Sequence, residues 1–435
     1  MLPTIPSLGL SYPPRSVTII GAGLGGLTLA LALNKYGIHA KLFELRTPDY
    51  DFGGAIMLSP NALRVLDILG VYKRVRSKGF NFETLTFKTD HDHKTTGKYY
   101  FGHEDMYGYK ALRIHRNVLI AELRQMVQEQ GIPIQYERKF SHVASEDESG
   151  VTFAFEDGSE EFAEVLIGAD GIHSKVRQHI LPNITPAYSG FLGVTYAFPT
   201  SKLRLPHGQE DYPFPASIHG KNGAFVMAPQ NADGTEMFVG RQFKYPMQDR
   251  SGWDALLKER SELVAMHQSD MKEWSDLVQS AQEQLSGPAS HSLNIWPFHT
   301  VPKLEKWSTH GGRVIIMGDA AHAIPPTAGQ GANQAFEDSY SIAFLLHSLS
   351  PEIDLRKGLK IWQNYRQERV DKVLQLTDQM NNIRLSEAEK KLLPKEKVWH
   401  DDNTEVGEGN QLAWLYLNNI EEEMIGEMAK SNNGN

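Results

Sequence analysis

A short apolar run, Val17-Thr18-Ile19-Ile20, leads straight into Gly21-Ala22-Gly23-Leu24-Gly25-Gly26 and then into the Leu- and Ala-rich stretch Leu27 to Tyr36. Uninterrupted β-branched residues suit a parallel strand buried on both faces. Gly37 is placed to end the helix, and Ala40 to Glu44 returns to a strand pattern. The prediction is a strand–helix–strand unit with its glycines at the first turn. Each glycine has its own duty. Gly21 permits the tight turn, Gly23 lets backbone approach a pyrophosphate, and Gly26 lets helix and strand pack closely. The helix start just beyond them offers free N–H groups and a positive dipole end to an anion. Glu44 closes the second strand 18 residues after Gly26, where a carboxylate accepts hydrogen bonds from a ribose. A carboxylate there suits a free 2′-OH, and so FAD or NAD rather than NADP.

The chain is long enough, at 435 residues, for two or three domains around a large core. It contains no cysteine. Disulfides, thiolate metal sites and cysteine nucleophiles are thereby excluded, and any redox chemistry must come from a bound cofactor. With 44 basic and 53 acidic residues the formal net charge is −9, and no long basic run is present, which argues against a nucleic-acid partner. No uncharged apolar run approaches the ~20 residues of a membrane span, and Met1 to Arg15 has no secretory pattern, so a cytoplasmic location is the expectation. His91, His93 and His103 lie on a polar, turn-like stretch and predict no metal site.

Further along, Asn61 to Val75 and Arg116 to Gln130 read as helices. Phe82 to Tyr100 reads as strands, and residues 186–300 alternate strands and turns around one helical stretch near Trp253 to Met271. Residues 355–391 show the charged, amphipathic pattern of surface helices, with one more helix near Gln411 to Ala429.

Two other segments carry chemistry. Gly168-Ala169-Asp170-Gly171 follows a buried-strand signal and continues to Val176-Arg177. Val314-Ile315-Ile316-Met317 is another such strand; after it come Gly318-Asp319-Ala320-Ala321-His322, Pro325-Pro326-Thr327-Ala328-Gly329-Gln330-Gly331-Ala332, and Glu337-Asp338. Asp319 is an acceptor at a strand end, suited to a ribityl or ribose hydroxyl. Gly329, Gly331 and Ala332 lack bulk, so backbone can pass close to a flat ring. The helix that follows aims its N-terminus at that ring.

In this order and at these separations, the three motifs resemble the single-component FAD-dependent aromatic hydroxylases. This is the family of para-hydroxybenzoate hydroxylase, salicylate hydroxylase and the tetracycline-inactivating monooxygenases. The resemblance covers about residues 16–370, and Gly54-Ala55-Ile56 and Tyr365-Arg366 with Arg369 also resemble family segments. It implies an α/β fold: a Rossmann-like FAD-binding domain, an inserted α+β substrate domain and C-terminal helices. The expected division is a tail at 1–15, the FAD-binding domain at 16–185 and 290–350, the substrate domain at 186–289 and C-terminal helices at 351–435. Strands within 82–110 would contribute to the substrate side.

Carried over residue by residue, the resemblance implies that Gly21, Gly23, Gly26 and Glu44 bind the ADP half of FAD. Arg116 contacts the FAD, Asp319 holds the ribityl chain and pyrophosphate, and Gly54, Ala55, Gly331 and Ala332 lie near the isoalloxazine. Asp170 and Arg177 shape a segment used for FAD and for transient NAD(P)H contact. The implied reaction uses NAD(P)H and O2, through a C4a-hydroperoxyflavin, to hydroxylate or epoxidise a small aromatic or alkene-containing metabolite. The implied protein is a monomer or homodimer. A dehydrogenase or oxidase on the same fold, and a non-enzymatic flavin-fold binding protein, are the alternatives. On the substrate side, Pro325 is expected beside the reacting edge of the flavin, and Thr195, Tyr196, His219 and Arg241 are the polar candidates. Some fungal-type relatives carry an arginine where this chain has Gly193-Val194-Thr195-Tyr196. His322 is expected to be a structural hydrogen-bonder.

Overall fold

The structure, a computed structural model, describes residues 14–50, 53–400 and 410–433. Most of the expected N-terminal tail lies outside them. A five-stranded parallel sheet forms the first layer, in the spatial order Val314–Ile316, Leu166–Gly168, Ser16–Ile20, His39–Phe43, Ile134–Gln135. Ser16–Ile20 lies near its centre because its residues 17–20 are apolar or β-branched and buried. The helix Leu24–Lys35 packs behind it against Gly331–His347, a helix buried along almost its whole length.

This topology gathers the three motifs. Ser16–Ile20, Leu166–Gly168 and Val314–Ile316 are adjacent parallel strands, so Gly21, Ala169-Asp170 and Gly318-Asp319 all leave from the same edge of the sheet. Ligands of open α/β sheets bind outside the carboxyl ends of their strands, where the strand order reverses.

A seven-stranded sheet makes the second layer, in the order Asn294–Thr300, Ala187–Pro199, Glu236–Lys244, Gly223–Pro229, Ala216–Gly220, Thr84–Thr89, Thr95–Tyr100. Its pairs are antiparallel except Ala216–Gly220 with Thr84–Thr89. Side chains alternate across a strand and paired residues share a face. One face carries Leu192, Val194, Tyr196, Met237, Val239, Ile218 and Phe225, packed against the helices between residues 250 and 283. The other carries Gly193, Thr195, Phe238, Gly240, Gln242, Val226, Ser217 and His219, and turns toward the nucleotide fold. A small sheet of Ala55–Leu58, Ala111–His115 and Phe80–Phe82 meets it there.

Several sequence expectations change. Asn294–Thr300 pairs with Ala187–Pro199, so one strand of the seven-stranded sheet comes from beyond position 290. Asn61 to Val75 is two helices, Pro60–Ile68 and Tyr72–Val75, because Gly70 takes φ +78° between them. The single helix expected near Trp253 to Met271 is divided into Arg250–Lys258 and Arg260–Gln268. Residues 355–391 are not a set of surface helices. Leu355–Asn382 is one 28-residue helix that buries Trp362, Tyr365, Arg366 and Arg369. Its arginines go inside because carboxylates wait for them. Arg366 Nε donates to Asp338 Oδ1 at 2.7 Å, and Arg369 Nε to Glu337 Oε2 at 2.7 Å.

Candidate active site

The glycine-rich turn is built by close approach. Gly21 takes φ +104°, and a Cβ there would lie 2.5 Å from the Ala169 carbonyl oxygen. A Cβ on Gly26 would lie 1.9 Å from the Gly21 carbonyl oxygen. Gly23 is different: nothing lies within 4 Å of its would-be Cβ, so it faces open space. Glu44 is buried beneath the turn. Its Oε2 accepts from Ala22 N at 2.7 Å and its Oε1 from Arg46 N at 2.9 Å, so the carboxylate also braces the loop.

The second motif is tied to the third. Asp170 Oδ2 accepts from Lys175 N at 2.8 Å and Val176 N at 3.2 Å, which caps the helix Lys175–Ile180. Burial raises the Asp170 carboxyl, against these hydrogen bonds. Arg177 donates to the Ile172 carbonyl at 2.6 Å and the Ala320 carbonyl at 2.9 Å, stapling the two turns together.

The third motif is held from behind by a buried ionic network. Asp338 Oδ2 accepts from Gly318 N at 2.8 Å and pairs with His322 Nε2 at 2.6 Å. Arg366 bonds both Asp338 and Glu337, and Asn61 Nδ2 donates to Glu337 at 2.6 Å. Burial favours the neutral acids, but the guanidinium groups outweigh it and hold Glu337 down to about 2. Asp338 is likewise held to about 2, by His322 and Arg366 against burial. His322 is thus a buried structural hydrogen-bonder.

This bracing leaves Asp319 as the free group of the motif. Its side chain reaches solvent through the cleft, while protein crowds it on the other sides. That crowding raises its carboxyl, against the pull of His322 and Arg116. Arg116 starts the helix Arg116–Glu129, donates from its backbone to the Gly54 carbonyl at 2.9 Å, and has a buried Nε without a partner. Burial lowers its guanidinium, with Asp319 acting in the opposite sense. These are the features an FAD would use: open space over Gly23, the exposed carboxylate of Asp319 and an unpartnered, buried Nε at Arg116.

The second wall of the cleft is the face of the seven-stranded sheet that bears Gly193 and Gln242. Trp296 pairs with Gly193 and shares this face. Its ring lies 3.5 Å from the would-be Cβ of Gly54, and the Arg116 guanidinium sits 5.3 Å from a Trp296 ring centroid. Thr195 lies on the same face, paired with Gly240 and Asn294. His219 does too, with Nε2 3.0 Å from Ser217 Oγ. Burial, then Lys390 and Arg384, depress the His219 imidazole to about 3. Pro325 is buried and precedes the 3-10 turn Pro326–Ala328, followed by Gly329 at φ +66°. Gly331 and Ala332 begin the helix Gly331–His347, and Ala55 begins the strand Ala55–Leu58 beside Gly54.

Two substrate-side candidates point the other way. Tyr196 is buried against His267 on the helix-packed face, ring centroids 5.1 Å apart. Arg241 is buried on that same face, with Nη1 2.7 Å from Asp270 Oδ1, and packs on Phe225, Phe243 and Trp274. Strand parity is the reason: Thr195 and Gln242 occupy the cleft positions next to them. Gln242 is the residue sequence reasoning missed. Its amide oxygen is buried without a hydrogen-bond partner. A strict count of two from Gly240 would have found it.

His91, His93 and His103 are not gathered. His91 faces Asp92, His93 bonds Tyr212, and His103 accepts from Met106 N. Among the described residues, no group of three His, Asp or Glu side chains is arranged to hold a metal, and no helix is long and apolar enough to cross a membrane.

Comparison with known proteins agrees with this geometry. A family model described as an FAD binding domain matches residues 15–379. The 6-hydroxynicotinate 3-monooxygenase of Bordetella bronchiseptica is 26% identical over 380 residues, covering 86% of this chain and 93% of its own. A 3-amino-4-hydroxybenzoate 2-monooxygenase of Streptomyces platensis is 30% identical over 363 residues, covering 83% of this chain and 86% of its own. Among solved structures, a salicylate hydroxylase in complex with substrate superposes with a TM-score of 0.71 at 22% identity, over 96% of this chain and 98% of that one. The chain belongs to the FAD-dependent aromatic monooxygenase family.

Proposed function

We propose that this protein uses NAD(P)H and O2 to hydroxylate a small, electron-rich aromatic ring. One oxygen atom would enter the substrate, and the other would leave as water with the two electrons of NAD(P)H. The observation that carries this reading is the cleft itself. Three nucleotide-binding turns form one wall, and the Trp296–Gly193–Gln242 row of a sheet forms the other. The hydroxylated aromatic compounds in the relatives' names support the choice of substrate.

FAD, when bound, supplies the electron transfer and the oxygen activation. The side chains supply binding, orientation and exclusion of water. Gly21, Gly23, Gly26 and Glu44 with the first helix start would take the adenosine and pyrophosphate. Arg116 and Asp319 would hold the pyrophosphate and ribityl chain. Gly54, Ala55, Pro325, Gly331 and Ala332 would flank the ring system, and Asp170 and Arg177 would keep the adjoining turn in register. On the opposite wall, Val226 and Phe238 keep the surface apolar, which limits water at the reacting centre. Thr195, Gln242 and His219 are the polar groups available there to orient a substrate.

The test is a visible spectrum of FAD-loaded protein, followed by anaerobic NADPH or NADH and then oxygen with a panel of hydroxylated aromatic acids and phenols. The expected result is a flavin band that bleaches and returns, with a hydroxylated product and less than one equivalent of peroxide. Stoichiometric peroxide without product would favour an oxidase. Failure to take up FAD would sink the reading.

A further inference from the structure

One cation near this cleft has no counter-charge among the described residues. Arg384 follows the long helix Leu355–Asn382 and reaches back to the Pro326–Ala328 turn, where Nη2 donates to the Thr327 carbonyl at 3.1 Å. Its Nε is buried without a partner. Burial pushes its guanidinium down to about 10, and the phenol Tyr99 is the one group acting against that. Among the described residues no carboxylate pairs with it; Lys390, whose ammonium burial lowers against the pull of Glu387, is the other base that acts on the same imidazole, His219. Arg384 is half-buried, and an ionised group partly taken out of water with one neutral acceptor is costly unless something else balances it. The C-terminal end of the helix offsets part of that cost.

The surroundings show where a balancing group would sit. His219, on the cleft face of the sheet, faces the backbone of Ile383, the residue before Arg384, while its Nε2 lies 3.0 Å from Ser217 Oγ. Behind it, Gly223 approaches Arg384 so closely that a Cβ there would lie 3.2 Å from the Arg384 carbonyl oxygen. Phe87 meets His219 edge to face at 5.6 Å, and Tyr99 packs on Phe101 at 4.6 Å. Phe101 in turn borders Gly329. An aromatic wall, a neutral imidazole and an unbalanced guanidinium therefore meet beneath the Pro325–Gly331 loop.

We propose that Arg384 is a specificity-determining residue, which binds the carboxylate of an aromatic substrate, and that His219 is a positioning residue that props the turn carrying it. The inference rests on the monooxygenase reading for the ring chemistry, but its charge preference is separable from catalysis. A charged hydrogen bond between guanidinium and carboxylate replaces the missing counter-ion and is stronger than a neutral one.

The test compares binding of benzoate and of its neutral isostere benzamide, by perturbation of the flavin spectrum in FAD-loaded protein and by thermal shift in the absence of FAD. Wild type is expected to bind benzoate at least about tenfold more tightly than benzamide. Arg384→Gln should bring the ratio to near one, Lys390→Gln should leave it within about twofold, and His219→Phe should lower it without abolishing it. If Arg384→Gln does not fold, Arg384→Lys carries the test, with the ratio reduced at least about threefold because an ammonium lacks the planar fork. An equal affinity of wild type for the two probes, or a ratio unchanged by substitution of Arg384, overturns the proposal. Loss of FAD uptake by wild type would count against the monooxygenase reading, while the thermal-shift ratio would still report on Arg384.

Discussion

Gly23 and Gly26 belong to one short motif, yet the structure gives them separable costs. The perturbation is a single methyl at each. At Gly26 the new Cβ would stand 1.9 Å from the Gly21 carbonyl oxygen, where ordinary contact begins at 3.4 Å. The helix start or the turn must give by about 1.5 Å, the difference of those two distances. Overpacking of this kind costs roughly 3 kcal/mol, the upper part of the usual range. At Gly23 the methyl meets nothing within 4 Å, and the backbone, φ −81° and ψ −168°, is extended and open to alanine. Restricting the unfolded chain there stabilises by about 0.4–1 kcal/mol. The assay is a melt of apo-protein beside an FAD titration by flavin fluorescence. Gly26→Ala should lower the melting temperature by several degrees. Gly23→Ala should leave it unchanged or slightly raised, while FAD affinity falls at least about tenfold, or 1.4 kcal/mol, because the methyl occupies the approach of the pyrophosphate. Gly23→Ala with wild-type FAD affinity, or with a melt as low as that of Gly26→Ala, would refute the argument.

Four other outcomes are expected. Arg366→Met should destabilise by about 3 kcal/mol, since it removes the buried guanidinium that joins Glu337 to Asp338 and leaves Glu337 to Arg369 and Asp338 to His322 alone; chemical denaturation within about 1 kcal/mol of wild type would contradict this. His267 is fully buried, and burial, then Arg241, depress its imidazole to about 3 from an unfolded value of 6.5. Between those values the unfolded chain binds the extra proton. Its contribution is therefore complete above pH 6.5 and is lost as pH falls, at up to about 1.4 kcal/mol per unit. His267→Phe should shallow the stability–pH slope in that window, and an unchanged slope would assign the acid lability elsewhere. Gln242→Leu should alter KM or turnover of substrate-dependent NAD(P)H oxidation with the melt preserved. Arg241→Gln should lower the melt by leaving Asp270 unpaired, and the reverse pattern would place the wrong residue in the cleft.

Much of the nucleotide fold was legible in the sequence, because close approach and buried parallel strands each demand particular residue types. Gly21 and Gly26 can be read as glycine from local geometry alone, and Val314-Ile315-Ile316 can be read as a buried strand. The substrate wall was less legible. Alternating strands within 186–300 were recognisable, but which alternate residues faced the cleft depended on the helices covering the opposite face. One residue of parity separates Arg241 from Gln242, and Tyr196 from Thr195. The burial of Arg366 and Arg369 was hidden for a related reason. A charged helix reads as exposed until a carboxylate pair from another helix is known to meet it.

By itself, then, the sequence determined the strand–turn–helix unit, the order of its three motifs and the need for a bound redox group in a chain without cysteine. Tertiary structure decided which strands lie side by side, and so brought Gly21, Asp170 and Asp319 to one edge. It also decided which sheet face turns toward the nucleotide fold and how the chain beyond the long C-terminal helix brings Arg384 against the Pro326–Ala328 turn. Local propensity acts over a few residues, whereas strand adjacency joins segments as distant as Thr18 and Leu166, and burial of Arg366 and Arg369 depends on carboxylates of a different helix, 28 and 32 positions away.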